Sequence, residues 1–475
     1  MLVMKFGGTS VGDATRIAEV VKIVKAEKER TPKIVVVVSA MSGVTNNLLA
    51  AANFAANGKQ AEYEKICQEL LRKHRLAVLE LVKDPLSCEQ LLKEIELFIE
   101  QNCNRLCYGI QILGEASPRA LDAIASLGER LSARLVAKAL NEAGLAAEAI
   151  EATQLIVTDD NFGDAAPQMA ETQTATSEKL LPLLEKGVVP IVTGFIGATR
   201  SGVITTLGRG GSDYSAGIIG ACLKADEVWI WTDVDGVMSA DPSIVPDAHT
   251  LSEMTYSEAA ELSYYGAKVL YPKTILPVIK DEIPLLIKNS FHPDRPGTRI
   301  ASKITSTDTD SDVKAISSIK NISLITISGR GMMGVPGIAA KTFTAVASQN
   351  VNILMISQSS SENNICFVIN TSEVERTCTV LRRALEVEFH HKHVEDIQVQ
   401  NSVAIIAVVG EKMKGTPGIA ARLFGAVGQS GANIIAIAQG SSEINISFVI
   451  NQQDIPRVVK AIHDEFKLGQ SFRIK

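Results

Sequence analysis

From Gly334 onward the chain repeats itself 81 residues later, and no gap interrupts the register. Gly334-Val-Pro-Gly-Ile-Ala-Ala340 returns as Gly415-Thr-Pro-Gly-Ile-Ala-Ala421, identical at six of seven positions. Asn352-Ile353 returns as Asn433-Ile434, Gln358 as Gln439, Ser361-Glu362 as Ser442-Glu443, and Phe367-Val-Ile-Asn370 as Phe448-Val-Ile-Asn451. A fixed period of this length means one structural unit made twice. Each copy reads strand, glycine turn, helix, strand, turn, strand. Ile338, Phe343 and Val346 carry the apolar face of the first helix, and Ile419, Phe424 and Val427 that of the second. Two copies are too few for a solenoid. The expectation is a pair of small α/β modules stacked on each other or on a twin chain.

The first 300 residues obey a different pattern. Leu2 to Phe6 reads as a strand running into Gly7-Gly8, and Ile17, Val20, Val21 and Val24 then recur at helical spacing. Ile34-Val-Val-Val-Val38 is a β-branched run of the kind a sheet buries on both faces. Further strands are expected at Val188–Val192 and Val228–Trp231, and a helical stretch over 46–110. Such alternation implies an α/β fold, a mostly parallel sheet with helices on both faces. Residues 301–312, Ala-Ser-Lys-Ile-Thr-Ser-Thr-Asp-Thr-Asp-Ser-Asp, read as a linker. The organisation expected is therefore a catalytic domain over 1–300, a linker over 301–312, and modules over 313–389 and 390–475.

Composition removes several function classes. With 47 Lys and Arg against 53 Asp and Glu the net charge is −6, so there is no electrostatic footprint for nucleic acid. No apolar run is long enough to span a bilayer, and Met1-Leu-Val-Met-Lys-Phe6 carries no targeting pattern, so a cytoplasmic protein is expected. The seven cysteines form no C-x-x-C pair and read as reduced thiols. His390, His391 and His393 lack a nearby cysteine and read as a solvated stretch, so no metal-ligand set is expected.

Chemistry concentrates in a few short segments. Gly7-Gly-Thr-Ser10, between a strand and a helix with Lys5 just before it, is either a phosphate-cradling turn or an ordinary tight βα turn. Leu207-Gly-Arg-Gly-Gly-Ser-Asp213 offers amides, a guanidinium able to fork onto a carboxylate, and an acid. Trp231-Thr-Asp-Val-Asp-Gly236 ends a strand with two carboxylates, suited to ribose, adenine or hydrated Mg²⁺, or to a plain Asx turn. Glu129 and Lys268 are single charges beside small residues, and alone each reads as a solvated helix residue. Gly329-Arg-Gly-Met-Met-Gly334 matches a dinucleotide fingerprint, but Leu354 and Met355 stand where its acid belongs, and the second copy loses the pattern.

Together these segments resemble the aspartate kinase family along nearly the whole chain. The resemblance is carried by Lys5-Phe-Gly-Gly-Thr-Ser-Val11, Ser39-Ala-Met-Ser-Gly-Val-Thr-Asn46, Gly128-Glu-Arg-Leu-Ser132, Thr193-Gly-Phe-Ile-Gly197, Thr206-Leu-Gly-Arg-Gly-Gly-Ser-Asp213, Trp231-Thr-Asp-Val-Asp-Gly236 and Tyr265-Gly-Ala-Lys-Val-Leu270. The duplicated tail resembles the family's paired ACT modules. The resemblance implies the amino-acid kinase three-layer sandwich, followed by two ferredoxin-like ACT domains. It implies transfer of the ATP γ-phosphoryl, with Mg²⁺, to the side-chain carboxylate of L-aspartate. Lys5, Asp213 and Lys268 would then be catalytic. Thr45, Glu129, Phe195, Arg209, Gly210, Gly211 and Ser212 would bind substrate. Gly7, Gly8, Ser10, Thr232, Asp233, Asp235 and Met238 would join Lys5 and Lys268 around the nucleotide. In the tail, Asn352, Ile353, Gln358, Asn433, Ile434 and Gln439 would receive an inhibitory amino acid. By the same resemblance the chain would form a homodimer or homotetramer through its ACT modules. It ends near the second copy, so a monofunctional enzyme without a fused homoserine dehydrogenase is expected.

The sequence also departs from the family. Met238 stands where a tyrosine is common, Ser243 follows Asp241-Pro242 in place of arginine, and Leu270-Tyr-Pro272 replaces Leu-His-Pro. Leu354 occupies a position often acidic in lysine-sensing relatives, which favours threonine over lysine as inhibitor. Two other functions fit the same residues less completely: a weakly catalytic amino-acid sensor, and a kinase of this fold acting on another amino-acid carboxylate.

Overall fold

The computed structural model describes residues 1–266, 270–304, 311–359 and 363–469. They fall into two compact bodies. The first holds Met1–Val237, Thr250–Ala260 and Lys268–Ser306. The second holds Thr307–Lys475 with two stretches from within the first 300 residues, Met238–His249 and Glu261–Ala267.

The first body is built on an eight-stranded sheet. Its order is Ala147–Ile150, Val189–Thr193, Ile34–Val38, Leu2–Phe6, Glu227–Thr232, Leu285–Asn289, Thr298–Ala301, Glu253–Thr255. Only the pair Leu285–Asn289 and Thr298–Ala301 is antiparallel. The apolar runs explain the centre. Leu2, Met4, Phe6, Ile34, Val36 and Val38 share a core with Ile17, Val20, Leu131 and Leu135 of helices Ala14–Arg30 and Leu127–Glu142. Strand alternation sends Val3, Val35 and Val37 to the other face, and these too have no exposed surface. There helix Gly211–Leu223 packs on the central strands and on helix Met169–Glu185. Both faces are therefore covered, as an all-apolar parallel strand requires. The expected helical stretch is present as Val44–Ala56, Gln60–Leu81, Pro85–Phe98, a six-residue π-helical segment Ile99–Asn104, and Arg105–Leu113.

The second body carries the repeat. Strand Ala315–Ser328, helix Ile338–Ala347, strands Met355–Gln358 and Asn364–Asn370, and helix Val374–Ala384 recur as Asp396–Val409, Ile419–Gln429, Ala436–Gln439, Asn445–Asn451 and Ile455–Glu465. The two 14-residue strands pair antiparallel at the centre of one six-stranded sheet, so the copies join edge to edge. The helix faces expected from the pattern meet their own strands: Ile338 and Val346 pack with Phe367, and Ile419 and Val427 with Phe448. The two inserted stretches belong here for local reasons. Ala240 and Val245 join the core of the second copy, Ile316 N–H donates to Ser239 O, and Ser317 Oγ donates to Tyr265 O at 2.7 Å. The first two glycines of the dinucleotide-like segment serve packing, and Gly334 holds a left-handed turn, φ 71°. A side chain at Gly329 or Gly331 would collide with the backbone of 392–394. No described helix is long and apolar enough to cross a membrane.

Candidate active site

The parallel strands of the first body end on one side, and their C-terminal loops enclose a cleft of about 930 Å³. Ligands bind at this edge of open α/β sheets. Lys5 comes from the last turn of strand Leu2–Phe6 and is 8% exposed. Its Nζ lies 2.5 Å from Oδ1 of Asp213. Gly7, Gly8 and Thr9 continue the wall. A side chain at Gly8 would stand 2.9 Å from Ala40 O, so the turn can pass the next loop only as glycine.

Helix Gly211–Leu223 points its N-terminus into the same space. Gly210 caps it in the left-handed region, φ 69°, where a side chain would also strike Tyr271. Its first residues, Gly211, Ser212 and Asp213, line the cleft beside the exposed Arg209. Amides there are free of helical partners, and the helix dipole adds positive character. Phe195 holds a left-handed backbone, φ 69°, and its N–H donates to Ser215 Oγ at 3.0 Å. Strain of this kind in a residue other than glycine collects at binding sites.

Glu129 opens helix Leu127–Glu142 at the back of the cleft and is 3% exposed. Burial raises its carboxyl to about 8, against hydrogen bonds from the Ala40 and Glu129 amides and the charge on Lys5. Its Oε2 is buried without a hydrogen-bond partner. The cleft therefore joins a cationic pair, Lys5 and Arg209, to a buried acid lacking a cation.

Thr45, Thr232 and Asp233 also line the cleft. Three expected residues lie apart from it. Ser10 is buried, its Oγ 2.8 Å from Ser290 Oγ, and it braces the turn from behind. Asp235 is held by Asn289 Nδ2 at 2.7 Å and by an ion pair with Arg295. Met238 is counted with the second body. Lys268 lies outside the described residues. Ser243, the unusual residue after Asp241-Pro242, donates its N–H and hydroxyl to Asp241 Oδ1 at 2.9 and 2.6 Å.

One residue of the site has no local sequence signal. Asp122, inside helix Pro118–Ala125, accepts from Thr206 N–H, Thr206 Oγ1 and Gly163 N–H at 2.9, 2.7 and 2.9 Å. It ties the loop carrying Arg209 to the helical layer and is 3% exposed. Asp122→Ala strands three donors, and unfolding in denaturant should show a loss of about 3 kcal/mol. A loss under about 1 kcal/mol would mean the loop is held by other contacts.

In the second body, Gln358 lines a cavity of about 310 Å³ with Met332, Val335, Pro336, Ile338 and Ile365. Ile353 is part of the first copy's core, and its carbonyl accepts from Tyr264 Oη at 3.0 Å. Ile434 packs in the second copy's core, while Asn352, Asn433 and Gln439 adjoin the matching strands.

Known proteins share this arrangement. The amino acid kinase family profile matches residues 1–289, and an ACT domain profile matches 325–385 and 406–466. Aspartokinase 1, chloroplastic, of Arabidopsis thaliana is 35% identical over 98% of this chain and 80% of its own length. The chain belongs to the aspartokinase family. A bifunctional aspartokinase/homoserine dehydrogenase of the same plant is 36% identical over 99% of this chain, which spans about half, 51%, of that relative's length. Aspartokinase III of E. coli, solved with aspartate and ADP in its R-state, superposes at a TM-score of 0.81 with 29% identity, covering 98% of this chain and 100% of that one. The same protein solved with lysine and aspartate in its T-state gives 0.79, with 30% identity over 98% of this chain and 99% of that one. The family therefore accounts for the mostly parallel sheet of the first body and for the duplicated ACT-type tail.

Proposed function

We propose that this chain phosphorylates L-aspartate with ATP, giving 4-phospho-L-aspartate and ADP, the first step towards lysine, threonine and methionine. The observation that carries the reading is the cleft's charge pattern: the Lys5–Asp213 pair, Arg209, and the buried Glu129, whose Oε2 has no partner, within one cavity. An amino acid's α-carboxylate suits the Arg209 fork and its α-ammonium suits Glu129. Its side-chain carboxylate is then directed towards Lys5.

The carboxylate oxygen attacks the γ-phosphorus, the bond to the β-phosphate oxygen breaks, and ADP leaves with that electron pair. A carboxylate needs no general base, so the protein's task is positioning and charge stabilisation. Lys5, oriented by Asp213, faces the equatorial oxygens, and Lys268 shares the catalytic role by family likeness. The amides of Gly8 and Ser212 donate to phosphate oxygens, while Gly7 and Gly211 give their N–H groups to Trp231 O and Gly208 O and so shape the two turns. Thr45, Phe195 and Gly210 shape the pocket, and Thr232 and Asp233 border the nucleotide. Asp213 and Asp233 line the cleft and fit a hydrated magnesium ion arriving on phosphates, which takes one or two carboxylates. Magnesium supplies neutralisation of the phosphate charge.

The tail is read as the inhibitor sensor, with threonine favoured. Leu354 is half-buried against Ile322, Leu324 and Val368 and offers no anion for an ε-ammonium. The cavity bordered by Gln358 takes the effector. Gln358→Ala should raise the threonine concentration for half-inhibition about tenfold, the loss of one polar hydrogen bond. An unchanged inhibition curve would remove Gln358 from the effector site. A homo-oligomer joined through the ACT-type tails and a cytoplasmic setting belong to the same proposal. The reaction is tested by following ADP release across a panel of amino acids. Turnover that requires aspartate supports it, and turnover with glutamate or N-acetylglutamate alone overturns it.

A further inference from the structure

Seven cysteines are free, and three of them meet. Cys67, on helix Gln60–Leu81, faces Cys103 in the π-helical segment and Cys107 on helix Arg105–Leu113. Their sulfurs all lie within 4.8 Å of one another, with Cys67 and Cys103 at 2.9 Å. The three residues are at most 2% exposed. Cys103 and Cys107, four residues apart across the junction of the π segment and the next helix, share the face turned to Cys67. π segments of this kind cluster at functional sites.

We propose that Cys67, Cys103 and Cys107 form a three-thiolate site for a soft, thiophilic metal ion, with Cu(I) the ion best suited. Thiolate sulfur selects soft ions. Around a planar three-coordinate ion with bonds of about 2.3 Å, sulfurs stand about 4 Å apart. The Cys67–Cys103 edge would open by about 1 Å to meet that, and the other two edges already lie within 4.8 Å. Among the described residues no histidine, aspartate or glutamate joins the cluster, so the tetrahedral set that zinc prefers is lacking. The sulfurs already face one another, and a hydrogen bond joins Cys67 to Cys103. A disulfide between Cys67 and Cys103 would use two sulfurs and leave this arrangement unexplained. Binding exchanges protons for metal: three thiols take one ion and release up to three protons, with no change of oxidation state.

The full-length protein, reduced and kept without oxygen, would be titrated with Cu(I) against a competing chelator, and with Cd(II) as an optical probe. The expected result is one ion per chain, a sulfur-to-metal charge-transfer band of three-thiolate intensity, proton release, and an unfolding temperature raised by several degrees. Cys67→Ser, Cys103→Ser and Cys107→Ser should each weaken binding at least about 100-fold, beyond the range seen for outer-shell changes. Cys88→Ser and Cys222→Ser should leave it unchanged. If a serine variant fails to fold, wild-type stoichiometry and proton release still decide. No bound ion in the reduced wild type, binding that survives loss of Cys67 or Cys107, or recovery only of a Cys67–Cys103 disulfide would each overturn the proposal.

Discussion

Lys5→Met lowers aspartate-dependent turnover by on the order of 10²–10³, with the effect in kcat and little change in the KM for aspartate. The reason is where Lys5 sits. It is 8% exposed, 2.5 Å from Asp213, and on the strand end that runs into the Gly7-Gly8 turn. A fixed ammonium aimed at the transferring group gains strength as charge spreads over the equatorial oxygens, and it needs no reorganisation at the moment of transfer. Removing it also leaves Asp213 without its cation, so part of the loss will be structural. The double variant Lys5→Met/Asp213→Asn separates the two effects. Its stability should recover towards wild type while its turnover stays low. Lys5→Met turnover within about tenfold of wild type would remove Lys5 from the chemistry.

Glu129→Gln has a different signature. Wild-type Glu129 carries a proton up to about pH 8 because burial disfavours its charge. An α-ammonium binds the ionised form, so kcat/KM for aspartate should rise about tenfold per pH unit below that point and level off above it. The neutral amide of the variant has no charge to offer. The variant should show a KM for aspartate higher by on the order of 10², with no pH slope. Stability moves the other way. The folded carboxyl's pKa lies above its ordinary 4.5, so from there to about 8 the folded state holds a proton that the unfolded state has lost. Stability contributed by that proton is present in acid and declines as pH rises through the window. Glu129→Gln should therefore match wild type near pH 5 and unfold at a higher temperature near pH 8.5. A gain of stability with a loss of substrate binding is the mark of a strained functional residue. A pH-independent wild-type KM, or a variant less stable at both pH values, would contradict this assignment.

Much of the fold is legible because its elements are locally consistent. Leu2–Phe6 and Ile34–Val38 form as read, since a β-branched run without polar interruption has one stable destination. The repeat gives matched elements at every 81-residue offset from Ala315 to Asp396 onward. What is not legible depends on distant partners. Nothing in Ala120-Leu-Asp-Ala123 announces that Asp122 will hold Thr206 and Gly163. Glu129 reads as a solvated helix residue until strand Ile34–Val38 and its loop bury it. Met238–His249 lies amid catalytic segments in sequence, yet Ala240 and Val245 find their core in the duplicated tail. Cys67 is 36 residues from Cys103, and only the packing of two helices brings them together. Spacing along a chain reports local periodicity, whereas these contacts are set by how finished elements dock.

The central claim is a phosphorylated aspartate side chain made in the cleft around Lys5, Glu129, Arg209 and Asp213. It is tested most directly by incubating the protein with Mg-ATP, L-aspartate and hydroxylamine, which converts an acyl phosphate into a stable hydroxamate. Aspartate-dependent hydroxamate formed in step with ADP, suppressed by threonine and reduced at least about 100-fold by Lys5→Met, is the predicted result. A folded, ATP-binding protein that forms no aspartyl hydroxamate under these conditions would contradict it.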